Sequence, residues 1–586
     1  MLDARAKGSL EQIVAGARGR IVIRLPQHNA LVAELSPGSK GALARDTRIS
    51  VVGSTPLTAQ QLALLSEPAQ AVVEAWSSSR LGLDRTLAAE PLDTAAAGEP
   101  LGQDGLIAPP WWQQRRPSGL IAAEEVLRAN GSGWENTSEF LAGRVSVNLL
   151  LPESDGTRDP SKENWTSSLE SQVLGELMAA LDALRALHPG TELQFTVHLL
   201  TGRTDRRLRT GYEPIARAAD PYGAQGEELW ATEILAKLGY PEGTRLSRSR
   251  QLADATRQVD GTEWAINLFV VNSAKDADGK FSDGRFAYSW IGGPHAVLTS
   301  DNASWGLAYF DRVVLHELHH LFFALDQYQS SGCDCTAASG YLGALNDNCE
   351  NGCAQEPCVM RDNQLLVSSA TQRQVGSYDT DRDGTPDLLS VAPEITIGAD
   401  PNGSSCGPII HLLGSANVVA YPNQNPTTIT PARSITPHTI KQVQVRVDEG
   451  NWQNGLAFPV DEAFDQVSEE YTVALSLSLD RHRIETRAID SRGNVSRSAS
   501  WIVDATESAE PTSASLMVQR APGGIDLSWD PAPGAQSYRV RRATQPDQVA
   551  ASPGVIDLAA TRWEDHTAGT QFYLISSLDG CGREIR

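Results

Sequence analysis

Apolar residues between positions 140 and 325 follow two repeats in turn. Val145, Val147, Leu149 and Leu151 fall at every second position, the spacing of a half-buried strand, and Leu193, Phe195, Val197 and Leu199 repeat it. Between them Leu169, Val173, Leu177, Leu181 and Leu184 recur every three or four residues, which predicts a helix. "EELWATEILAKLG" predicts a second helix, and a polar stretch separates it from the apolar strand "WAINLFVV", residues 264–271. "FAYSWIGGPHAVLTS", residues 286–300, reads as an extended segment at a sheet edge, where Gly292, Gly293 and Pro294 interrupt regular pairing. "LAYFDRVVLHELHHLFFAL" then predicts a helix of about five turns. The order is that of an α/β unit.

On either side the texture changes. In residues 1–130, "RIVIRLP" and "TRISVVG" predict short strands and "TAQQLALLSEPAQAVVEAWSSSRL" a helix, before a Pro/Gly/Ala-rich connector. This region reads as a propeptide or an accessory domain. It holds no Cys, so a thiolate from it cannot block a downstream metal. Beyond about residue 395 short alternating strands predominate. "KQVQVRVDEG" and "YTVALSLSLDRHRIETRAIDSRGNVS" predict a β-sandwich over 396–505. After the linker "DATESAEPTSAS", residues 512–586 predict a second, with Trp529 and Tyr538 on neighbouring strands.

Length and composition bound the function. A chain of 586 residues, 41% hydrophobic and 21% charged, is globular and too long for one core. A net charge of -23 disfavours nucleic acid and anionic membranes as partners. No apolar run of membrane-spanning length occurs, and no export signal is visible at the N-terminus. Five of the seven cysteines nevertheless lie between Cys333 and Cys358, a clustering expected of an oxidising compartment. The expected location is therefore secreted or cell-surface, with the leader missing or mis-called.

The candidate chemistry sits in "HELHHLFFALDQY", residues 316–328. Four residues apart on a helix, His316 and His320 share a face and can aim imidazole nitrogens at one Zn²⁺. Glu317, beside that ion rather than on it, is placed to take a proton from water as general base. A polar helix face with stacked histidines explains the stretch poorly. The apolar flanks "RVVL" and "LFFAL" bury the helix, and burying these groups without partners is costly.

The stretch resembles the metzincin metallopeptidases, whose pattern is H-E-x-x-H-x-x-G-x-x-H/D with a downstream Met-turn. The resemblance covers about residues 140–395 and implies that Asp326 is the third zinc ligand, as in metzincins of the snapalysin type, and that Met360 in "EPCVMRDN" forms the Met-turn. It implies a metzincin-like α/β (α+β) catalytic domain over 131–395, with a twisted mixed sheet, an edge strand that pairs with extended substrate and an active-site helix, followed by two all-β sandwich domains. Phe323 departs from the family, standing where its Gly turns the chain. On an unbroken helix Asp326 would point about 120° away from His320, so the helix must stop near Leu321 to Phe323 if Asp326 is to be a ligand. His319 also departs, standing where the family often has a small residue. It reads as a side chain facing the cleft or supporting the ligands, and Tyr328 as either an oxyanion donor or a packed aromatic. The C-terminal stretches resemble immunoglobulin-like and fibronectin type III modules, the latter on "LSWDPAPGAQSYRV".

Cys333, Cys335, Cys349, Cys353 and Cys358 lack paired C-x-x-C spacing, which favours disulfides over a second zinc. Cys406 is the expected partner for a third bridge, leaving Cys581 unpaired. "DTDRDGTPD" sets Asp379, Asp381, Asp383 and Asp387 at a calcium-loop spacing, against the alternative of a solvated acidic turn. "DADGKFSD", with Asp276, Asp278 and Asp283, is the weaker such pattern. The expected function is a secreted zinc endopeptidase acting on protein or peptide, its sandwiches holding it near a surface or polysaccharide. The alternative is an adhesion protein with a structural or degenerate metal site.

Overall fold

Strand Arg144–Leu151 is buried along nearly its whole length, on both faces, as the middle of a parallel sheet requires. The half-buried strand expected from its alternation is corrected by this: the intervening Ser146, Asn148 and Leu150 are covered too. The computed structural model describes residues 132–578 apart from 221–224, 304, 400–408, 428–431, 479, 505–515, 533–534 and 536, together with position 14 and strands within 2–52. They form two units, residues 1–390 with 420–437, and 391–419 with 438–586. The helix expected over 58–81 lies outside the described residues.

Among the described residues the first unit is built on a nine-stranded sheet. Its strands are β1 (Leu2–Ala4), β2 (Arg20–Leu25), β3 (Ala30–Glu34), β4 (Ile49–Val52), β5 (Arg144–Leu151), β6 (Gln194–Thr201), β7 (Trp264–Val271), β8 (Ala287–Ser289) and β9 (His295–Thr299). They run in the order β8-β9-β7-β5-β6-β2-β3-β1-β4. Strands β9, β7, β5, β6 and β2 are parallel, and β8 adds antiparallel at one edge. The N-terminal strands thus extend this sheet through β2, at the end remote from β8.

Helices cover both faces. α1 (Ser167–Leu187), capped by Thr166, packs on Val145, Val147 and Leu149. α2 (Glu227–Lys237) packs on the other face against Leu150 and Phe269. α3 (Arg245–Asp260) occupies the polar stretch in which no helix was expected. It buries Ser249, Arg250, Asp254 and Arg257, so no apolar period announces it. Arg257 is satisfied there, donating to Asn136 O at 2.6 Å, Gly133 O at 2.7 Å and Asp254 Oδ1 at 2.9 Å. α4 (Phe310–Leu321) lies on the face that carries α1.

Residues 420–437 belong to this unit although they lie between two strands of the other. Their anchor is Tyr341, fully buried, whose hydroxyl donates to Tyr421 O at 2.8 Å and accepts from Ile435 N–H at 2.7 Å.

The second unit holds two sandwiches. In the first, β10 (Glu394–Ala399), β11 (Ile409–Asn417), β12 (Ile440–Val447), β13 (Ala457–Pro459), β14 (Ser468–Ser476), β15 (Arg481–Asp490) and β16 (Ala499–Asp504) form sheets β10-β11-β14-β13 and β12-β15-β16. Leu412, Tyr471 and Val473 of one sheet meet Val443, Val445 and Ile484 of the other. In the second, β17 (Leu516–Ala521), β18 (Gly524–Trp529), β19 (Ser537–Ala543), β20 (Gly554–Leu558), β21 (Arg562–Asp565) and β22 (Phe572–Leu578) form sheets β17-β18-β21 and β20-β19-β22. Trp529 and Tyr538 lie in opposite sheets rather than on neighbouring strands, and meet edge-to-face at 5.6 Å. Among the described residues no helix is long and apolar enough to cross a membrane.

Removing the Tyr341 hydroxyl leaves a buried amide and a carbonyl without their partner. Tyr341→Phe should therefore cost about 1–3 kcal/mol in urea unfolding of the first unit.

Candidate metal centre

α4 stops at Leu321 because the chain turns sharply there. Phe322 N–H returns to His319 O at 3.0 Å and Phe323 N–H to His320 O at 2.9 Å. Phe323 then takes φ +73°, the left-handed region where a β-carbon costs roughly 1–2 kcal/mol. Burial of the ring offsets that cost. The Phe323 side chain is 1% exposed and packs on Gly292, where any β-carbon would overlap the ring. Gly292 N–H also donates to His320 O at 3.0 Å, so the loop after β8 caps the end of α4.

The turn brings Asp326 back over the helix. Asp326 Oδ1 lies 3.0 Å from His316 Nε2 and 3.2 Å from His320 Nε2, and the two nitrogens are 3.1 Å apart. Each ring's other nitrogen faces a carbonyl, His316 Nδ1 meeting Val359 O at 2.9 Å and His320 Nδ1 meeting Ala324 O at 2.8 Å. A carbonyl cannot donate, so each ring carries a proton on Nδ1, and it is in the neutral form of the rings that the Nε2 lone pairs converge with the carboxylate. Zinc bonds of about 2.0–2.1 Å at tetrahedral angles set ligand atoms about 3.3 Å apart. The three atoms fit that ion closely.

Burial pulls the His320 imidazolium down, but Asp326 and Glu317 beside it outweigh burial and hold it up at about 9. Burial raises the Asp326 carboxyl, and His320 and His316 overcome that and drive it well below the ordinary carboxylate range. Three main-chain hydrogen bonds fix the loop around Asp326. Leu325 N–H donates to Gln374 Oε1 at 2.9 Å, and Gln327 N–H to Met360 O at 2.9 Å. Asn346 Nδ2 donates to Asp326 O at 2.8 Å. The buried Gln327 side chain donates to Thr371 Oγ1 at 2.9 Å and accepts from Asn348 at 2.7 Å. Thr371 and Gln374 come from α6 (Ser369–Val375), which follows α5 (Val359–Asp362). Met360 is fully buried, and its turn presents the carbonyls of Val359 and Met360 to His316 and Gln327.

Glu317 is buried beside the three groups, and Ser289 Oγ lies 2.6 Å from its Oε2 and 3.0 Å from its main-chain oxygen. Burial, with Asp326 and Glu317 nearby, pushes the Tyr328 hydroxyl far above its ordinary value. His319, expected to face the cleft or to support the ligands, is fully buried and does not face a cleft. Its Nδ1 donates to Leu315 O at 2.7 Å and its Nε2 sits 3.0 Å from His188 Nε2, while His188 Nδ1 is 2.6 Å from Ser377 Oγ. Burial keeps this pair neutral, pushing His319 down to about 4 and His188 well below its ordinary value. Sequence reasoning missed Ser289, Asn346 and Gln374, which no motif marks. It missed Gln327 too, although that residue stands inside "LDQY".

Cys333 pairs with Cys349 and Cys335 with Cys353. Cys358 is a buried free thiol held by Ser368 N–H at 3.3 Å and Thr371 Oγ1 at 3.3 Å, which corrects the expectation of a third bridge at that position. Cys406 and Cys581 lie outside the described residues. Asp379, Asp381 and Asp383 gather within 4.8 Å of one another. The expected fourth oxygen is turned away, because Asp387 accepts instead from Thr380 N at 2.9 Å and Thr380 Oγ1 at 2.6 Å. Asp276 accepts from the Asp278 and Gly279 amides while Asp283 binds Arg285 and the Asp220 amide, which makes that stretch an acidic turn.

No protein-family model matches the chain, and no curated protein does. Among solved structures it is similar to Astrotactin-2, a vertebrate-specific, perforin-like membrane protein, with 12% identity and TM-score 0.16 over 24% of this chain and 31% of that one. It is similar to the chicken CNTN1 FN1-FN3 domains, with 13% identity and TM-score 0.20 over 33% of this chain and 61% of that one. The central fibronectin-III array of RIM-binding protein gives 14% identity and TM-score 0.10 over 32% of this chain and 68% of that one. The chain thus spans about a third of the Astrotactin-2 structure. Likenesses this weak carry no argument about the site, which stands on its own geometry.

Phe323→Gly relieves the strained turn but deletes a buried ring, and the second effect is larger. Urea unfolding should show a net loss of about 2–3 kcal/mol. A second test concerns pH in chelated protein. His320 is raised from 6.5 to about 9, so its contribution is complete below pH 6.5 and lost as pH rises through 9. The Tm of chelated protein should fall over that window, and Asp326→Asn should flatten the fall.

Proposed function

We propose that this chain is a secreted zinc-dependent metalloendopeptidase of metzincin type. The observation that carries the reading is the convergence of His316 Nε2, His320 Nε2 and Asp326 Oδ1, with both Nδ1 atoms tied to carbonyls and a buried carboxylate alongside. His316, His320 and Asp326 would hold the ion, and zinc bound there supplies the Lewis acidity that lowers the pKa of water toward about 7.

The chain's own residues do the rest. Ser289 occupies Glu317 Oε2, and among the described residues Oε1 carries no hydrogen bond, which leaves that atom to take the proton of the attacking water and return it to the departing amine. β8 is the last strand of its sheet, so its outer edge is available to pair with an extended peptide. The influence of Asp326 on the buried Tyr328 hydroxyl favours a role beside that carboxylate over oxyanion donation. The two disulfides beside the site support an oxidising location.

Casein hydrolysis by zinc-loaded protein tests the proposal. A chelator should abolish it, and Glu317→Ala should lower kcat by about 10²–10⁴-fold with zinc content unchanged. His316→Ala should lose zinc as well. Undiminished cleavage by Glu317→Ala would overturn the assigned base, and stoichiometric zinc without cleavage of any protein substrate would favour the adhesion reading instead.

A further inference from the structure

The Glu317 carboxylate has one hydrogen-bond donor among the described residues, and it comes from the sheet rather than from α4. Ser289 ends β8, paired with Ala296 of β9, and is nearly buried. Its single hydroxyl proton is offered to Oε2 at 2.6 Å in preference to the Glu317 main-chain oxygen at 3.0 Å.

β8 is in turn fixed from its other face. Side chains alternate along a strand, so Tyr288 points away from Glu317. Its hydroxyl donates to the fully buried Glu227. Glu227 is also met by His295 Nε2 at 2.8 Å and Arg245 Nε at 3.0 Å. Beyond Ser289 the strand runs into the loop whose Gly292 N–H caps His320 O. The strand is thus held on both sides of Ser289, by a buried ionic cluster and by the end of the metal-binding helix.

We infer that Ser289 is a positioning residue for the general base, its hydroxyl fixing the Glu317 carboxylate so that Oε1 faces the reacting water. The inference rests on the peptidase reading above. It adds that one short strand serves both the pairing of the substrate and the aim of the base. Without the hydroxyl the carboxylate is free to rotate, and a displacement of about 1 Å at a reacting group costs on the order of 10²-fold in rate.

Zinc-loaded Ser289→Ala and Ser289→Thr should be compared with the parent on a quenched-fluorescent peptide, together with zinc content and thermal melts. The expected result for the Ala variant is a fall in kcat of about 10–100-fold with KM within about twofold of the parent and full zinc occupancy. Thr, which keeps the hydroxyl, should restore most of kcat. In a Glu317→Ala background, Ser289→Ala should cause no further loss, because the group it positions is gone. An Ala variant with parental kcat, a loss confined to KM, or a loss that persists undiminished without Glu317 would each overturn the inference. A parent that cleaves no peptide fails the peptidase reading itself, before any variant is compared, and removes the inference with it.

Discussion

The site depends on where α4 ends. At 100° per residue, six further residues of helix would carry Asp326 about 120° round from His320, so the three candidate ligand atoms meet only because the chain leaves the helix at Leu321. The residue that makes the turn, Phe323, has a β-carbon in left-handed conformation, and its ring is what stabilises it there. The ring requires Gly292 to lack a side chain, and the Gly292 amide completes the hydrogen bonding of His320 O. Helix end, Asp326 and the loop after the edge strand are therefore one packing unit. A smaller residue at 323 would ease the backbone and loosen the rest.

Two histidine pairs, one within α4 and one between α4 and His188 at the end of α1, show how far the partner, rather than the helix, sets the chemistry. His316 and His320 meet a carboxylate, and His320 is held up at about 9. His319, on the other side of α4, meets only the neutral His188 and is pushed down to about 4. The second pair orders its protons in one consistent way: Ser377 donates to His188 Nδ1, His188 Nε2 to His319, and His319 Nδ1 to Leu315 O. Neither ring of this second pair carries a charge.

How much of this was legible in the sequence follows from what each part is made of. The α/β order, the five-residue motif and the need for a break near Phe323 could be read because apolar spacing and ligand spacing are both local. α3 could not be read, since it meets the sheet with Ser249, Thr256 and Asp260 and has no apolar period. The burial of β5 on both faces was hidden for a related reason, because Ser146 and Asn148 look solvent-facing but are satisfied by Asp260, Thr256 and Asn267. Residues 420–437 read as part of a sandwich, and their place on Tyr341 depends on two backbone groups that no side-chain pattern records.

These failures share a cause that bears on function. Apolar burial is non-directional and tolerates displacement, whereas a hydrogen bond weakens steeply outside a narrow range of distance and angle. A candidate site that positions two imidazoles and two carboxylates to within fractions of an ångström is better framed by amides, hydroxyls and guanidinium groups than by leucines. Ser289, Gln327, Asn346, Gln374 and Glu227 are such a frame: each is buried, each is polar, and each fixes either a ligand segment or the strand beside the base. Periodicity therefore fails in the places where positional precision is greatest. For this chain, buried polar residues at positions the pattern assigns to solvent mark the frame of the site as surely as the motif marks its centre.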